Sequence, residues 1–179
     1  MPLITKSIPM KPLIDDTYTR IVSLNSNNTR QDYQDFILAS SVDPERCAAS
    51  VDDGLRHYRG DLGNYGLGFL AEIINADTLR LWVGGRAEHD TLSNYTFDLN
   101  IIIYEFGRKP KRIETVKTTG NAFATTPETV MLSSPVDLSK SVILNAAAGG
   151  LLYRVGICDW IDNQSLAMRY TIGCNVVEF

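Results

Sequence analysis

Alternating apolar and polar side chains make residues 95–106 the clearest predicted strand of the sequence. Successive side chains of a strand point to opposite faces of a sheet, so this alternation places one apolar row on a single face. The row consists of Phe97, Leu99, Ile101 and Ile103. The opposite face carries polar residues, at least in its first half, and is expected to contact water.

Shorter apolar stretches separated by turn residues predict further strands along most of the chain. They lie at 19–24, 69–74, 78–83, 113–119, 130–132 and 141–144. Good turn signals separate several of them, including Asn75-Ala76-Asp77 and Gly84-Gly85. The small residues of 146–150 predict a turn.

A final pair of strands is predicted at 151–157 and 168–176, joined by a polar turn around Asp162-Asn163. If the apolar rows of the two strands share a face, Cys174 lies on that face and Cys158 on the opposite one. This arrangement disfavours a disulfide between the two cysteines. A bulge between the strands would reverse the parity.

One short helix is predicted after residue 42. Asp43 is a suitable N-cap, Pro44 fits the first turn, and Gly54 would end the helix. Its apolar side would be formed by Cys47, Ala48 and Val51.

The first residues of the chain predict an extended docking arm at 1–18, followed by a single β domain at 19–179. Prolines at 2, 9 and 12 prevent a regular helix or central strand, yet the segment is too apolar for a solvated tail. Its apolar side chains, the predicted partner-binding residues, are Leu3, Ile4, Ile8, Met10, Leu13 and Ile14. Such an arm needs a surface to cover.

These elements together predict a mainly β fold. With about eight or more short strands separated by turns, we expect an antiparallel β-sandwich or a jelly-roll-like barrel, with the N-terminal arm and one short helix. The order of the strands is not readable from the sequence.

Composition narrows the expected partners. The 179 residues are 44% hydrophobic and 21% charged, which is typical of a globular domain. A net charge of -4 gives no general attraction to nucleic acid or anionic membranes. No apolar run is long enough to span a bilayer or to form a signal peptide, so we expect synthesis in a cytoplasm. The unrelated spacings of Cys47, Cys158 and Cys174 predict free, mostly buried thiols.

Catalytic motifs are not evident in the sequence. His57 near Asp52 and Asp53, and His89 in Glu88-His89-Asp90, are more simply explained as solvated turn residues than as bases or metal ligands. The glycines of 60–68 lack the ending of a phosphate-binding loop, and no Gly-x-Ser-x-Gly elbow occurs. We therefore predict no enzyme activity, no metal and no cofactor.

Three short features remain as candidates for contact. Arg59-Gly60-Asp61 spells an integrin-recognition tripeptide, although a match of three residues is expected by chance. The charged loop residues Arg108, Lys109, Lys111 and Arg112 are a possible contact for an acidic partner; as a solvated hairpin tip they would discourage edge aggregation. The aromatic residues considered for sugar stacking are Trp82, Trp160, Tyr65 and Tyr58.

The sequence thus leaves two classes of function open. In the first, the chain is a structural subunit of a virus or phage particle, such as a minor capsid, cement or decoration protein. It would bind copies of itself or a larger shell protein, form a homo-oligomer such as a trimer, and pass from the host cytoplasm into the virion. In the second, it is a lectin-like β-sandwich module that binds carbohydrate.

Overall fold

The computed structural model describes residues 17–29, 33–52, 57–60, 67–84, 95–118, 126–145, 147–149, 157–169 and 171–179. Strands dominate this part of the chain, and its one helical element is a single 3-10 turn at Leu138–Lys140. The strands are β1 (Thr17–Thr29), β2 (Tyr33–Ile37), β3 (Cys47–Val51), β4 (His57–Gly60), β5 (Leu67–Asn75), β6 (Thr78–Gly84), β7 (Tyr95–Phe106), β8 (Arg112–Lys117), β9 (Glu128–Met131), β10 (Ser141–Asn145), β11 (Ala147–Gly149), β12 (Ile157–Trp160), β13 (Ser165–Arg169) and β14 (Gly173–Glu178).

The strands pair antiparallel in four sheets. Sheet 1 has the order β1-β7-β3, with β4 also paired to β7, and sheet 2 has the order β11-β5-β6-β2. Sheet 3 has the order β10-β14-β8, and sheet 4 the order β12-β13-β9. The prediction of a mainly β, antiparallel fold is confirmed.

Strand β7 runs over the residues that the alternation predicts, and the part of its apolar row whose side chains are described is in the core. Leu99, Ile101 and Ile103 are each 0% exposed. They pack in one cluster with Phe69 and Leu81 of sheet 2, so this first core lies between sheets 1 and 2. Burial of large aliphatic and aromatic side chains is the main stabilising term of such a core.

A second core lies between sheets 3 and 4. Val116 and Val176 of sheet 3 pack there with Leu166 and Met168 of sheet 4. A third, smaller cluster joins the two halves, because Val177 of sheet 3 packs against Ala48 and Phe106 of sheet 1. The side chains of β14 therefore serve both halves: alternate residues face the second core and the first sheet.

The prediction of a helix after residue 42 is wrong, because Cys47–Val51 is a strand. Asp43 caps only a turn: its side chain accepts a hydrogen bond from the backbone N–H of Glu45, and its carbonyl accepts one from Arg46. The chain then forms β3, in which every residue is buried. A strand buried on both faces shows no alternation, so its small apolar residues resemble a helix face in the sequence.

The segment 168–176, predicted as one strand, belongs to two separate strands. β13 ends at Arg169 in sheet 4, and β14 begins at Gly173 in sheet 3. On β12, Cys158 lies opposite Met168 and is buried, whereas Ile157 of the predicted apolar row is exposed. The expected separation of the cysteines onto opposite rows is therefore wrong, since Cys158 and Cys174 lie in the same core. Both thiols are free and buried, as predicted, and so is Cys47.

Some of the remaining predictions differ from the structure, and others fall outside the described residues. The predicted turn at 146–150 contains a short strand, since Ala147–Gly149 pairs with β5. β1 begins at Thr17, so it contains the last two residues of the predicted arm. Residues 1–16 of the arm and most of the predicted strand at 151–157 lie outside the described residues. Within the described ranges, no helix has the length and apolar character needed to span a bilayer.

Candidate interaction surfaces

The charged loop between β7 and β8 contacts other parts of its own chain. The guanidinium of Arg108 lies 4.9 Å from the ring centroid of Phe179. Lys109 forms an ion pair with Glu45 on the turn before β3, in which both side chains are largely exposed. Such an exposed pair contributes little to stability. It does hold the tip of the loop against the first sheet.

The other two basic residues of the loop meet a buried carboxylate. The side chain of Glu178 is only 2% exposed, and its Oε1 accepts hydrogen bonds from Lys111 Nζ at 2.8 Å and from the backbone N–H of Asp137 at 3.1 Å. The hydrogen bond from Lys111 is the main cause that lowers the pKa of Glu178. The C-terminal strand is thereby tied to the loop.

Arg112 lies near the same carboxylate and contacts Ser134 and Glu114. Its Nη1 donates a 2.6 Å hydrogen bond to the hydroxyl of Ser134, and lies 3.3 Å from Glu114. Its buried Nε lies 3.8 Å from Glu178 Oε2, which is beyond hydrogen-bond distance. The four predicted contact residues therefore brace the loop internally. Their contact with an acidic partner stays a prediction.

A cluster of aromatic and charged residues covers part of the outer face of sheet 2. Trp82 donates a 2.7 Å hydrogen bond from its indole N–H to Glu72, and Lys117 Nζ lies 3.5 Å from the indole ring centroid. The Tyr33 ring is 5.1 Å from the Trp82 ring at an angle of 58°. Both the polar atom and a face of the indole are thus occupied by the chain's own residues.

Arg80 completes this cluster from the neighbouring position on β6. It donates two hydrogen bonds to Asp35, at 2.7 and 2.8 Å, and lies 3.9 Å from the centroid of the Tyr33 ring. The hydrogen bond from Arg80 lowers the pKa of the Asp35 carboxyl. Cross-strand pairs of this kind hold β2 against β6.

Of the other residues considered for sugar stacking, Trp160 is the one whose side chain the structure describes. Trp160 is half-buried and packs against the second core. The side chain of Tyr58 and the whole of Tyr65 lie outside the described residues, as do Asp61 and His89. Among the residues that the structure describes, no group of three or more His, Cys, Asp or Glu side chains is placed to hold a metal ion.

A small cavity opens between sheets 1 and 3. It has a volume of about 240 Å³ and is lined by both polar and apolar side chains. The polar ones are Ser50, Asp52 and Tyr104, of which Ser50 donates a 3.3 Å hydrogen bond to the Tyr104 hydroxyl. The cavity is below the usual size of a small-molecule site.

Exposed apolar side chains concentrate on the edges of the sheets, a feature that the sequence analysis missed. In the described part of the chain, six of the nine exposed large hydrophobic residues lie on the outermost strands β1, β2, β9 and β12. They are Tyr18, Ile21, Tyr33, Ile37, Met131 and Ile157. No sequence signal could identify them, because an apolar residue in a strand pattern is expected in the core until the strand order is known.

Comparison with known proteins finds no counterpart, since no protein-family model, curated protein or solved structure matches this chain.

Proposed function

We propose that the chain is a non-enzymatic structural subunit of a larger assembly, specifically a minor capsid, cement, decoration or other structural protein of a virus or phage particle. The observation that carries this proposal is the concentration of exposed apolar side chains on the edge strands of the described sheets. Its partners are other protein subunits, either copies of itself or a larger shell protein.

An exposed sheet edge presents unpaired backbone groups that bind any available strand, so edge strands are normally short, charged or interrupted by proline. The described edge strands of this chain instead carry large, exposed apolar residues. Ile37 on β2 is 79% exposed and Tyr18 on β1 is 75% exposed. In a monomer these side chains remain exposed to water and do not stabilise the fold by burial. In an assembly, a subunit buries them against its neighbours.

The N-terminal segment supports the same proposal from the sequence. Its prolines block regular structure, and its apolar residues favour burial. Docking on a neighbouring subunit would satisfy both properties, as in symmetric shells built from many copies of one chain. The basic loop, in which Lys109 and Lys111 are the more exposed side chains, would add a charged contact for an acidic surface of that neighbour.

We include a β-sandwich architecture in this proposal. Sheets 1 and 2 enclose the first core and sheets 3 and 4 the second, which supports a β-sandwich arrangement rather than one closed barrel. A small, mainly β body of this kind suits a subunit that is made in the host cytoplasm and then becomes part of a particle.

The experiment compares the native mass of the purified full chain with that of a leader variant, by size-exclusion chromatography with light scattering. The variant replaces the six apolar leader residues, Leu3, Ile4, Ile8, Met10, Leu13 and Ile14, with serine. We expect a homo-oligomer for the full chain, and a smaller species for the variant with the same circular dichroism spectrum.

A control variant carries Thr5→Ser and Lys6→Gln, which alter the same segment without removing apolar surface. It should keep the native mass of the unmodified chain. A full chain that is monomeric at every concentration would contradict the proposal. An unchanged mass in the serine variant would contradict the role of the leader.

A further inference from the structure

Strand β1 is an unusually long edge. It covers thirteen residues, and in the described part of the chain it pairs only with β7, on one side. A strand in a globular protein averages about 5–6 residues. The described strand contains no proline and one charged residue, Arg20. Apart from Arg20 and an irregularity in the pairing between Ser26 and Thr29, the described strand lacks the usual protections of an edge.

The hydrogen bonds of β7 show which backbone groups of β1 are directed towards β7 and which are directed away from it. Phe106 donates its N–H to Arg46, and the carbonyl of Asn100 accepts from Asp52, so the even-numbered residues of β7 bond towards β3. The odd-numbered residues then bond towards β1, where they are opposite its even-numbered residues, as in the pairing of Leu99 with Leu24.

The odd-numbered residues of β1 consequently direct their backbone groups away from the sheet. These residues include Thr19, Ile21 and Ser23, of which Ile21 is 64% exposed. None of the three side chains is charged. Among the residues that the structure describes, no second strand pairs with these N–H and C=O groups. An uncharged row of this kind is suited to pairing with another strand.

We propose that β1 is the contact between two copies of this chain, which pair their β1 strands antiparallel about a two-fold axis at Ile21. In this register Ile21 lies opposite Ile21, and Thr19 lies opposite Ser23 of the second copy. All three are residues whose backbone groups point outward, so the hydrogen-bonding pattern of the pair is consistent. About ten main-chain hydrogen bonds can form over the nine paired residues on each strand.

The side chains of the two copies also match. The exposed side chain of Ile21 lies beside Ile21 of the second copy, so that each covers the other with apolar surface. Arg20 brings no repulsion, because it is already bound within its own chain: its guanidinium hydrogen-bonds to Glu105 and to the carbonyl of Ser40. Self-pairing therefore places no like charges against each other across the described strand.

The chain's own leader fits this edge less well. Pro9 is an odd-numbered residue and Pro12 an even-numbered one, so in a strand their backbone nitrogens would face opposite edges. A strand running through both would lack a backbone donor on each of its edges, and so would lose a hydrogen bond in either register. A second copy of β1 loses none. The inference rests on the proposed function only in treating edge strands as contact surfaces.

Disulfide trapping tests both the partner and the register. Directly opposed residues of a hydrogen-bonded pair have Cα atoms about 5.5 Å apart, within the range for a disulfide. The native cysteines are buried, and burial raises the pKa of the Cys47 thiol to about 11, so they react slowly. The variants are Ile21→Cys, Thr19→Cys and Ser23→Cys, with Ile37→Cys on β2 as the exposed control.

Under mild oxidation, Ile21→Cys should give about tenfold more cross-linked dimer than Ile37→Cys, because paired thiols have a higher effective concentration than colliding ones. Thr19→Cys and Ser23→Cys should cross-link when mixed and little when separate. Removing residues 1–14 should leave the cross-linking of Ile21→Cys unchanged.

Equal cross-linking at positions 21 and 37 would overturn the inference, as would efficient cross-linking of Thr19→Cys with itself. An oligomeric chain that fails to cross-link at position 21 would overturn this contact and leave the proposed function standing. A chain that is monomeric throughout would contradict both.

Discussion

The side-chain amide of Asn175 donates a 2.7 Å hydrogen bond to the backbone carbonyl of Ala49, and so connects the two halves of the molecule. Asn175 lies on β14 in sheet 3, and Ala49 on β3 in sheet 1. The same amide group donates a second 2.7 Å bond to the carbonyl of Ala71 in sheet 2. Its oxygen accepts a 2.7 Å bond from the hydroxyl of Thr115.

Replacing Asn175 should therefore destabilise the whole chain. Asn175→Ala leaves two buried carbonyl groups without their donor, and we expect a loss of about 2–4 kcal/mol in the free energy of unfolding. Asn175→Asp should cost more, because a carboxylate would face two carbonyl oxygens. Urea denaturation followed by circular dichroism measures both losses.

The exposed Asn163 provides the control for this prediction. Asn163→Ala should change the free energy of unfolding by less than about 0.5 kcal/mol. If Asn175→Ala were as mild as this control, the bridge between the halves would not be a stabilising contact.

The pH dependence of stability should depend in part on Glu178. Its pKa is lowered in the folded chain, mainly by Lys111, from an ordinary value of 4.5. A lowered pKa stabilises the fold above the unfolded pKa, and this contribution is lost as the pH falls through the folded value. Thermal unfolding should show a midpoint that falls on acidification below about pH 4.5.

The variant Glu178→Gln should be less stable near neutral pH, and its midpoint should fall less steeply on acidification. The remaining slope comes from other carboxyls with lowered pKa, such as Asp137, whose pKa lies at about 2 because of the hydrogen bonds from Ser139. The control is Glu45→Gln, which removes a carboxylate from an exposed ion pair and should change the free energy of unfolding near neutral pH by less than about 0.5 kcal/mol. Identical slopes for Glu178→Gln and the original chain would refute this role.

Gly173 should tolerate no side chain. A Cβ at this position would lie 2.2 Å from the carbonyl oxygen of Val116 and 2.9 Å from a methyl carbon of Leu70. Because the nearer atom belongs to the backbone of β8, relief requires a shift of that strand. We expect Gly173→Ala to lower the free energy of unfolding by about 3 kcal/mol or to prevent folding.

Thermal unfolding or the yield of folded protein measures this effect. Gly107→Ala is the control, since Gly107 lies on an exposed bend, and its stability should change by less than about 1 kcal/mol. A Gly173→Ala variant as stable as this control would show that β8 and β14 are not packed as closely as described.

Lys117 should shield the Trp82 ring from water. In a Trp160→Phe background, Trp82 is the remaining tryptophan, because the sequence contains two. Lys117→Ala should shift its fluorescence emission to longer wavelength and cost about 0.5–1 kcal/mol. Lys117→Arg keeps a cation over the ring and should leave the emission unchanged. Equal spectra for the two variants would contradict the contact.

The sequence by itself determined the class of the fold and the position of its best strand. The alternation over 95–106 depends only on which side chains avoid water, and it identified β7 with its buried row at Leu99, Ile101 and Ile103. The turn at Asn75–Asp77 was equally readable, since the Asn75 side chain accepts a hydrogen bond locally from the N–H of Asp77.

Only the tertiary structure decided what depends on neighbours distant in the chain. β3 is a strand rather than a helix because the residues on its two faces are buried by different clusters, and the last strand divides because its two parts join different sheets. The candidate contact at β1 follows the same rule: Ile21 is exposed because of the place of its strand in the sheet order. Local patterns encode the period of a strand, whereas long-range pairing determines which strands are left at an edge.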